Sequence, residues 1–438
     1  MNTKLTARRC FWVAIVALLF GCTPLSPQPI ATSAPTLMPV RSSPITSPTF
    51  TPFPTPLPVS LTRFPLSGYV MIFVKNGDLY FQDGNNSPVK LADVGEKSYY
   101  PKLSDDNRKV IFSRDDGNEY SINTDGTQEQ IIIPNDWLAS FEPGTEISIL
   151  GFIPATHQLL VETYFCESQK FESPCSTSLF LANIDTGIIE KLIDLGLALQ
   201  QNSISRNIEV SPDGKMVAFG TMQGVGIITI AGKIVRNNIL PYKSSTSISL
   251  FPSLFLLPDS SGLIVALPNT SYSDGTYFDM AAYSIWRYMI DLNTAVQISF
   301  SPMPLGSNFQ VSPDAKWITY DSLGEYDAYY YYLGNLANGH LQVIGPGYSD
   351  YFHWSPDSRH FIADAGNTIL GSVDSPNTIT VYQVWGDEWV DATHFISLLP
   401  EENGPRRLMA EIDSAGGVKI YDLGFGEDFE ASLLIKPK

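Results

Sequence analysis

The chain has 438 residues, of which 44% are hydrophobic and 12% aromatic, and this is enough apolar surface for a large folded core. Its formal net charge of −18 repels phosphate backbones, and no basic run occurs outside the first residues, so we expect no nucleic-acid partner. The same charge repels anionic lipid headgroups, so attachment to a membrane must depend on something other than charge.

Residues 1–21 have the composition of a secretory signal peptide. The apolar run Phe11–Phe20 covers roughly half of a hydrocarbon core as a helix, which is too short for a transmembrane anchor. Three cations precede this run: Lys4, Arg8 and Arg9. The segment ends Leu19-Phe20-Gly21-Cys22, which resembles the lipobox of bacterial lipoproteins. That resemblance implies that Cys22 is lipidated and that the membrane is reached through this anchor only.

Residues 22–66 are rich in Pro, Thr and Ser, as in the stretch Thr51-Pro-Phe-Pro-Thr-Pro-Leu-Pro. Prolines remove backbone donors and favour extended structure, so this segment is predicted to be a disordered linker. It would act as a stalk between the lipid anchor and a folded domain at residues 67–438.

Short strands with turn residues between them begin near Gly68. The first three are predicted at Tyr69–Lys75, Asp78–Asp83 and Val89–Ala92, with Asn76-Gly77 as a two-residue hairpin signal. No stretch of any length has the pattern of a capped amphipathic helix.

A strand–turn–strand unit, Val210-Ser-Pro-Asp-Gly-Lys-Met-Val-Ala-Phe-Gly, recurs along the chain. Pro212 presets φ, Asp213 can cap the turn, and Gly214 tolerates a positive φ. Clear copies begin at Ser312 and Ser355, and degenerate copies lie around four further positions: Ser104, Ile153, Leu257 and Trp389. The spacing of 43–58 residues, with four strands in each unit, predicts an all-β fold, a β-propeller.

The Ser-Pro-Asp turns at Ser211, Ser312 and Ser355 resemble the WD40-like (PD40) repeats of TolB-type propellers, which implies the propeller architecture and no particular activity. Seven units follow an incomplete first one, and the tail 428–436 can supply its missing strand. We therefore predict eight four-stranded blades closed by pairing of the N- and C-terminal strands, with seven blades as the alternative.

Motifs for catalysis or metal binding are missing from the sequence. The turn aspartates, Asp213 among them, are interpreted as turn caps, and a peptidase would need a Gly-x-Ser-x-Gly elbow that the chain lacks. None of the five histidines has metal-ligand spacing. We expect a monomer that is not an enzyme and has no metal and no cofactor. Cys166 and Cys175 are interpreted as a disulfide, because they form an even pair in an exported chain.

Long b–c connections bring tyrosines towards one rim of the predicted propeller, and loops on a rigid scaffold commonly carry binding sites. The candidate binding face comprises Tyr272, Tyr277, Tyr326 and Tyr329. The tyrosine run around Tyr329 is expected to divide between packing and contact. The sequence thus favours an extracellular or periplasmic binding module for a protein, peptide or envelope glycan. The alternative is a carbohydrate-active hydrolase or lyase that uses channel carboxylates such as Glu209 or Asp350.

Overall fold

The structure is a computed structural model. It describes residues 61–95, 101–166, 174–199, 208–221, 224–241, 252–268, 283–298, 300, 306–323, 329–346, 352–364, 368–381, 385–399, 406–413, 416–423 and 433–437. These residues form eight four-stranded antiparallel sheets arranged as an eight-bladed β-propeller. The predicted fold class and the favoured blade number are confirmed, and the seven-bladed alternative is wrong.

The first half of the propeller supplies blades 1 to 4. Blade 1 contains β1 (Tyr69–Lys75), β2 (Asp78–Asp83) and β3 (Val89–Asp93). Blade 2 contains β4 (Lys102–Leu103), β5 (Lys109–Ser113), β6 (Glu119–Asn123) and β7 (Gln130–Ile133), and is followed by the short helix α1 (Asn135–Leu138). Blade 3 contains β8 (Glu146–Phe152), β9 (Gln158–Cys166), β10 (Pro174–Asn183) and β11 (Ile189–Leu199). Blade 4 contains β12 (Ile208–Val210), β13 (Met216–Thr221), β14 (Gly224–Thr229) and β15 (Ile234–Ile239).

The second half supplies blades 5 to 8 and the strand that completes blade 1. Blade 5 contains β16 (Ser253–Leu256), β17 (Gly262–Pro268), β18 (Tyr283–Met289) and β19 (Thr294–Ile298). Blade 6 contains β20 (Gly306–Val311), β21 (Trp317–Leu323), β22 (Tyr329–Asn335) and β23 (Leu341–Pro346). Blade 7 contains β24 (Phe352–Trp354), β25 (His360–Asp364), β26 (Thr368–Ser372) and β27 (Ser375–Val381). Blade 8 contains β28 (Trp385–Trp389), β29 (His394–Leu399), β30 (Arg406–Ile412) and β31 (Val418–Asp422), and β32 (Leu433–Pro437) follows.

Each blade is a meander whose strands we name a to d in the order in which they pair, so that β32 is strand a of blade 1. The a strands of neighbouring blades contact one another, as β12 does with β16 and β24 does with β28. This contact identifies the a strands as the inner strands of the propeller.

The core consists of apolar layers between neighbouring blades. Between blades 2 and 3, for example, Ile111 and Ile132 pack with Val161 and Phe180. Side chains on a strand point alternately to its two faces, so each strand contributes to the layer on either side of its blade.

Ser-Pro-Asp turns join strands a and b by a fixed set of hydrogen bonds. Ser211 Oγ donates to Asp213 Oδ1 at 2.7 Å, and the same carboxylate oxygen accepts the Lys215 amide at 3.1 Å. Gly214 has φ of 68°, and a left-handed residue recurs at the same position of four other blades: Asn107, Ser260, Ala315 and Ser358. In the degenerate turn of blade 3 the positive φ falls one residue earlier, at Ala155. The turn therefore survives where its sequence is degenerate.

Blade 1 is closed by its two chain ends. Strand β1 pairs antiparallel with β32, from Tyr69 opposite Pro437 to Phe73 opposite Leu433, which confirms the predicted closure. Before β1, the Phe64 amide donates to Asp422 O at 2.7 Å, and the Asp422 amide donates to Thr62 O at 2.9 Å. Ordered contacts thus begin ahead of residue 67, the domain start expected from composition.

None of the helices in the described ranges is long and apolar enough to cross a membrane.

Candidate functional site

The two ends of the blades carry different connections. Because the strands are antiparallel, the a–b and c–d connections share one end, which we call the turn face, and the b–c and d–a connections share the other, the loop face. Connections on the turn face are short, such as residues 211–215 and 184–188. On the loop face they extend to residues 269–282 in blade 5, although the b–c connection of blade 1 is only Asn76-Gly77.

Of the four predicted binding tyrosines, Tyr272, Tyr277 and Tyr326 lie outside the described residues, and Tyr329 is the first residue of β22. The next residues of β22 confirm the expected packing role. Tyr331 is fully buried, and the Tyr332 ring stacks on the Tyr320 ring at a centroid distance of 5.3 Å. Asp350, the second channel acid named from the sequence, also lies outside the described residues.

The turn face is occupied by structural hydrogen bonds between blades. The Asp213 amide donates to Ser260 Oγ at 3.2 Å, and the Asp314 amide donates to Ser358 Oγ at 2.9 Å. The hydrogen bond from Ser211 lowers the pKa of Asp213 to about 2 despite some desolvation. These aspartates act as turn caps, as the sequence predicted, and their carboxylates are engaged by their own turns.

An ion-pair cluster joins blades 2 and 3 on the turn face. His157 Nδ1 contacts Asp185 Oδ2 at 2.7 Å, and its Nε2 contacts Asp106 Oδ2 at 3.2 Å. Lys109 Nζ lies 3.2 Å from Asp185 Oδ1. The hydrogen bond to Asp185 raises the pKa of His157 above its ordinary value, against the effect of burial. No group of three or more His, Cys, Asp or Glu side chains within the described ranges has the arrangement of a metal site.

A cavity of about 340 Å³ lies between blades 2 and 3 near the loop face. Its walls come from the inner strands β4 and β8, from the end of β5 and from the start of β6. Ile111, Ile147 and Ile149 supply its apolar lining.

Strand register explains why charged side chains enter this cavity. Lys102 is opposite Ile111, and Ser113 is opposite Glu119, two residues further along the same face of the sheet. Ile111 packs against blade 3, so Lys102, Ser113 and Glu119 also face blade 3.

Lys102 and Glu119 carry opposite charges at the cavity wall. Lys102 Nζ donates to the backbone oxygen of Ile149 in blade 3 at 2.7 Å, and burial lowers the pKa of this lysine. Ser113 Oγ lies 2.8 and 3.0 Å from the two carboxylate oxygens of Glu119. Burial nevertheless raises the pKa of Glu119, against the hydrogen bond from Ser113 and the charge of Lys102. Both groups are thus less hydrated than surface charges.

Two further carboxyl groups with raised pKa values lie in blades 3 and 4. Glu162, on β9, is 1% exposed, and its Oε1 has no hydrogen-bond partner among the described residues. Glu209 lies on the inner strand β12, where the sequence had placed it. Desolvation raises the pKa of each to about 7.

Sequence reasoning did not identify the Lys102 cavity. One signal was available: Lys102 precedes the turn serine Ser104 by two residues, the repeat position that Glu209 holds before Ser211. The second half of the site, Glu119, depends on how blade 2 faces blade 3, which no local pattern encodes.

Cys166 ends β9 and Cys175 lies near the start of β10, so the connection between these strands is shorter than the sequence indicated. The two cysteines are opposite one another in the strand register. Cα atoms in such pairs are about 4.5–5.5 Å apart, within the range that a disulfide spans.

No protein-family model matches the chain, and no curated protein matches it. Among solved structures the chain is similar to an oligogalacturonate lyase in complex with manganese, with 16% identity over 65% of this chain and 78% of that one and a TM-score of 0.43. It is similar to TolB from Acinetobacter baumannii, with 13% identity over 72% and 79% of the two chains and a TM-score of 0.37. A eukaryotic initiation factor has 11% identity over 81% and 98%, with a TM-score of 0.49. At these identities and TM-scores no activity is carried over.

The fold and the site together define an eight-bladed β-propeller with a tightly bonded turn face and a charged cavity that lies near the loop face.

Proposed function

We propose that this protein is a binding module of the cell envelope that contacts a protein, peptide or envelope glycan through its loop face. The observation that carries the proposal is the difference between the two faces. Turn-to-turn hydrogen bonds such as that from Asp314 to Ser358 occupy the turn face, whereas the cavity and the longest connections lie towards the loop face. Loops held by a rigid scaffold supply the side-chain variety that recognition needs.

The proposed location follows from the N-terminal segment. A leader at residues 1–21, lipidation at Cys22 and a Pro-rich stalk between Cys22 and the propeller would hold the propeller on the outer side of a membrane. Metabolic labelling with a fatty-acid analogue tests this part of the proposal. We expect label in the wild type and none in Cys22→Ala, and equal labelling of both proteins would contradict it.

Capture of a partner from the native envelope tests the binding function. We expect the full chain to retain a partner, and alanine at Tyr272, Tyr277 and Tyr326 to weaken retention by at least about 1 kcal/mol in sum. Charge reversal on the turn face at Lys215, Lys316 and Arg359 is the matched control and should leave retention unchanged. The opposite pattern would move the binding surface to the turn face and contradict the proposal.

A second candidate function is the cleavage of a carbohydrate, and one observation favours it. Glu209 lies on an inner strand with its pKa raised to about 7, which is the protonation behaviour of a general acid near neutral pH. The test is release of reducing ends from envelope polysaccharides. If Glu209 is a general acid, the wild type should release reducing ends and Glu209→Gln should not. Release that is equal in both proteins, or that never occurs, would rule out this acid.

A further inference from the structure

The cavity between blades 2 and 3 holds two opposite charges that do not neutralise each other. Within the described part of the chain, Lys102 and Glu119 form no ion pair with one another, although each influences the pKa of the other. Lys102 donates one hydrogen bond to Ile149 O, which leaves two ammonium hydrogens available. Glu119 accepts from Ser113 and retains free lone pairs.

Because Lys102 and Glu119 are partly buried, water hydrates their remaining hydrogen-bonding positions less than it would at the surface. A charged group taken out of water is favourable only when it is paired and hydrogen-bonded. A ligand that brings an anion to Lys102 and a cation to Glu119 would supply both missing partners at once. Charge-assisted hydrogen bonds of this kind are about twice as strong as neutral ones.

The volume and lining limit the rest of the ligand. A volume of about 340 Å³ lies in the range of small-molecule sites and leaves room for a ligand as small as leucine or phenylalanine. The isoleucines Ile111, Ile147 and Ile149 offer an apolar surface for a side chain of that kind.

We propose that this cavity binds a free α-amino acid with an apolar side chain, its carboxylate at Lys102 and its ammonium at Glu119. The inference rests on the proposed binding function and names a ligand class for one site near the loop face. A zwitterion has no net charge, so the net charge of −18 does not repel it as it would a dianion. A free α-amino acid carries its ammonium and its carboxylate on one carbon atom, so a single small ligand presents both charges at once.

Calorimetric titration of the full chain with leucine and phenylalanine tests the proposal. We expect at least one of them to bind, with a Kd no weaker than about 10 mM. The amide of the same amino acid lacks the carboxylate, and its N-acetyl derivative lacks the ammonium, so each should bind at least about tenfold more weakly. Equal affinity for all three forms, or no binding of either amino acid, would overturn the proposal.

Variants assign the two charges to their residues. Glu119→Gln should weaken binding of the amino acid at least about tenfold. It should leave the affinity of the N-acetyl form unchanged, because that form has no ammonium group for Glu119 to bind. Lys102→Met should give the reciprocal pattern with the amide. Lys215→Met, an exposed lysine of the turn face, is the control and should bind like the wild type. Unchanged affinity in both cavity variants would overturn the assignment.

The outcomes separate this inference from the proposed function. If amino acids fail to bind while the loop-face tyrosines still govern envelope capture, only the inference fails. If capture depends on the turn face, the proposed function fails independently of the cavity result.

Discussion

Glu162 is a buried acid whose environment favours its protonated form. The folded-state pKa is about 7 against an ordinary value of 4.5, so this group lowers the free energy of unfolding as the pH rises between those values. Glu162→Gln removes the buried charge. We expect the variant to gain up to about 3 kcal/mol relative to the wild type at about pH 8, and little of that gain at about pH 4.

Denaturant unfolding of both proteins across this pH range measures the effect. Glu190→Gln, an exposed position of the same blade, is the control and should show a small difference with little pH dependence. A stability difference between Glu162→Gln and the wild type that does not change with pH would show that the carboxyl group is not held protonated by burial.

His157 links blades 2 and 3 and should stabilise them only within a pH window. Its pKa is raised by the hydrogen bond to Asp185, so its contribution is present below the ordinary His value of 6.5 and is lost as the pH rises through the folded-state value. Burial opposes ionisation of Asp106 and Asp185, but hydrogen bonds, including those from His157, lower their pKa values below the ordinary 3.8. Their contribution is therefore lost as the pH falls through those lowered values.

His157→Gln should consequently destabilise the protein most at about pH 5, by about 1 kcal/mol, and much less at about pH 9. Thermal unfolding at the two pH values is the measurement. His340→Gln, at a c–d turn of blade 6, serves as the matched control. A larger effect at about pH 9 than at about pH 5 would contradict the account of this cluster.

The role of a single residue could be predicted from the sequence only where its partners lie within a few positions along the chain. The capping role of Asp213 was predictable, because Ser211 and Lys215 lie within two positions of it. The cavity role of Glu119 was not, because it depends on strands β4 and β8, which reach it only when the blades pack.

Strand β32 closes the ring, so its buried side chain should matter far more than an exposed one. Ile435 is 3% exposed and packs in the cluster that contains Met71 and Met409. Ile435→Ala should cost about 2–5 kcal/mol of stability. Ile234→Ala, on the outer strand β15 and 57% exposed, should cost about 0.5 kcal/mol or less. Similar losses in both variants, measured by denaturant unfolding, would contradict the closure of blade 1 by this strand.

The pair Cys166 and Cys175 should be bridged in the exported protein. Their positions opposite one another on β9 and β10 support the bridge. Mass spectrometry after alkylation under denaturing, non-reducing conditions should find neither thiol modified. Cys166→Ser with Cys175→Ser should lose roughly 2.5–3 kcal/mol of stability. Two alkylated thiols in the wild type would end this prediction.

Elements were predicted well where turn chemistry marks their ends. The Asn76-Gly77 hairpin joins β1 to β2 as expected, and the degenerate unit at Ile153 still forms a blade. The final strand, β32, covers Leu433–Pro437, most of which lies in the tail 428–436 that was expected to supply it. Its position is set by pairing with β1.

For the whole molecule, the number of blades followed from counting turns, because each turn is a local signal that repeats. The difference between the two faces was also predictable, because the a–b and c–d turns are short in every clear repeat and several b–c connections are longer. The ligand could not be predicted in this way, because recognition depends on side chains from different blades that the repeat does not relate to one another.

Hydrogen exchange of the full chain, with and without the partner captured from the envelope, tests the central claim most directly. The account predicts that the partner slows exchange in the b–c and d–a connections, while the a–b turns at Ser211, Ser312 and Ser355 exchange unchanged. Slower exchange confined to those a–b turns would place the partner on the turn face and contradict the account.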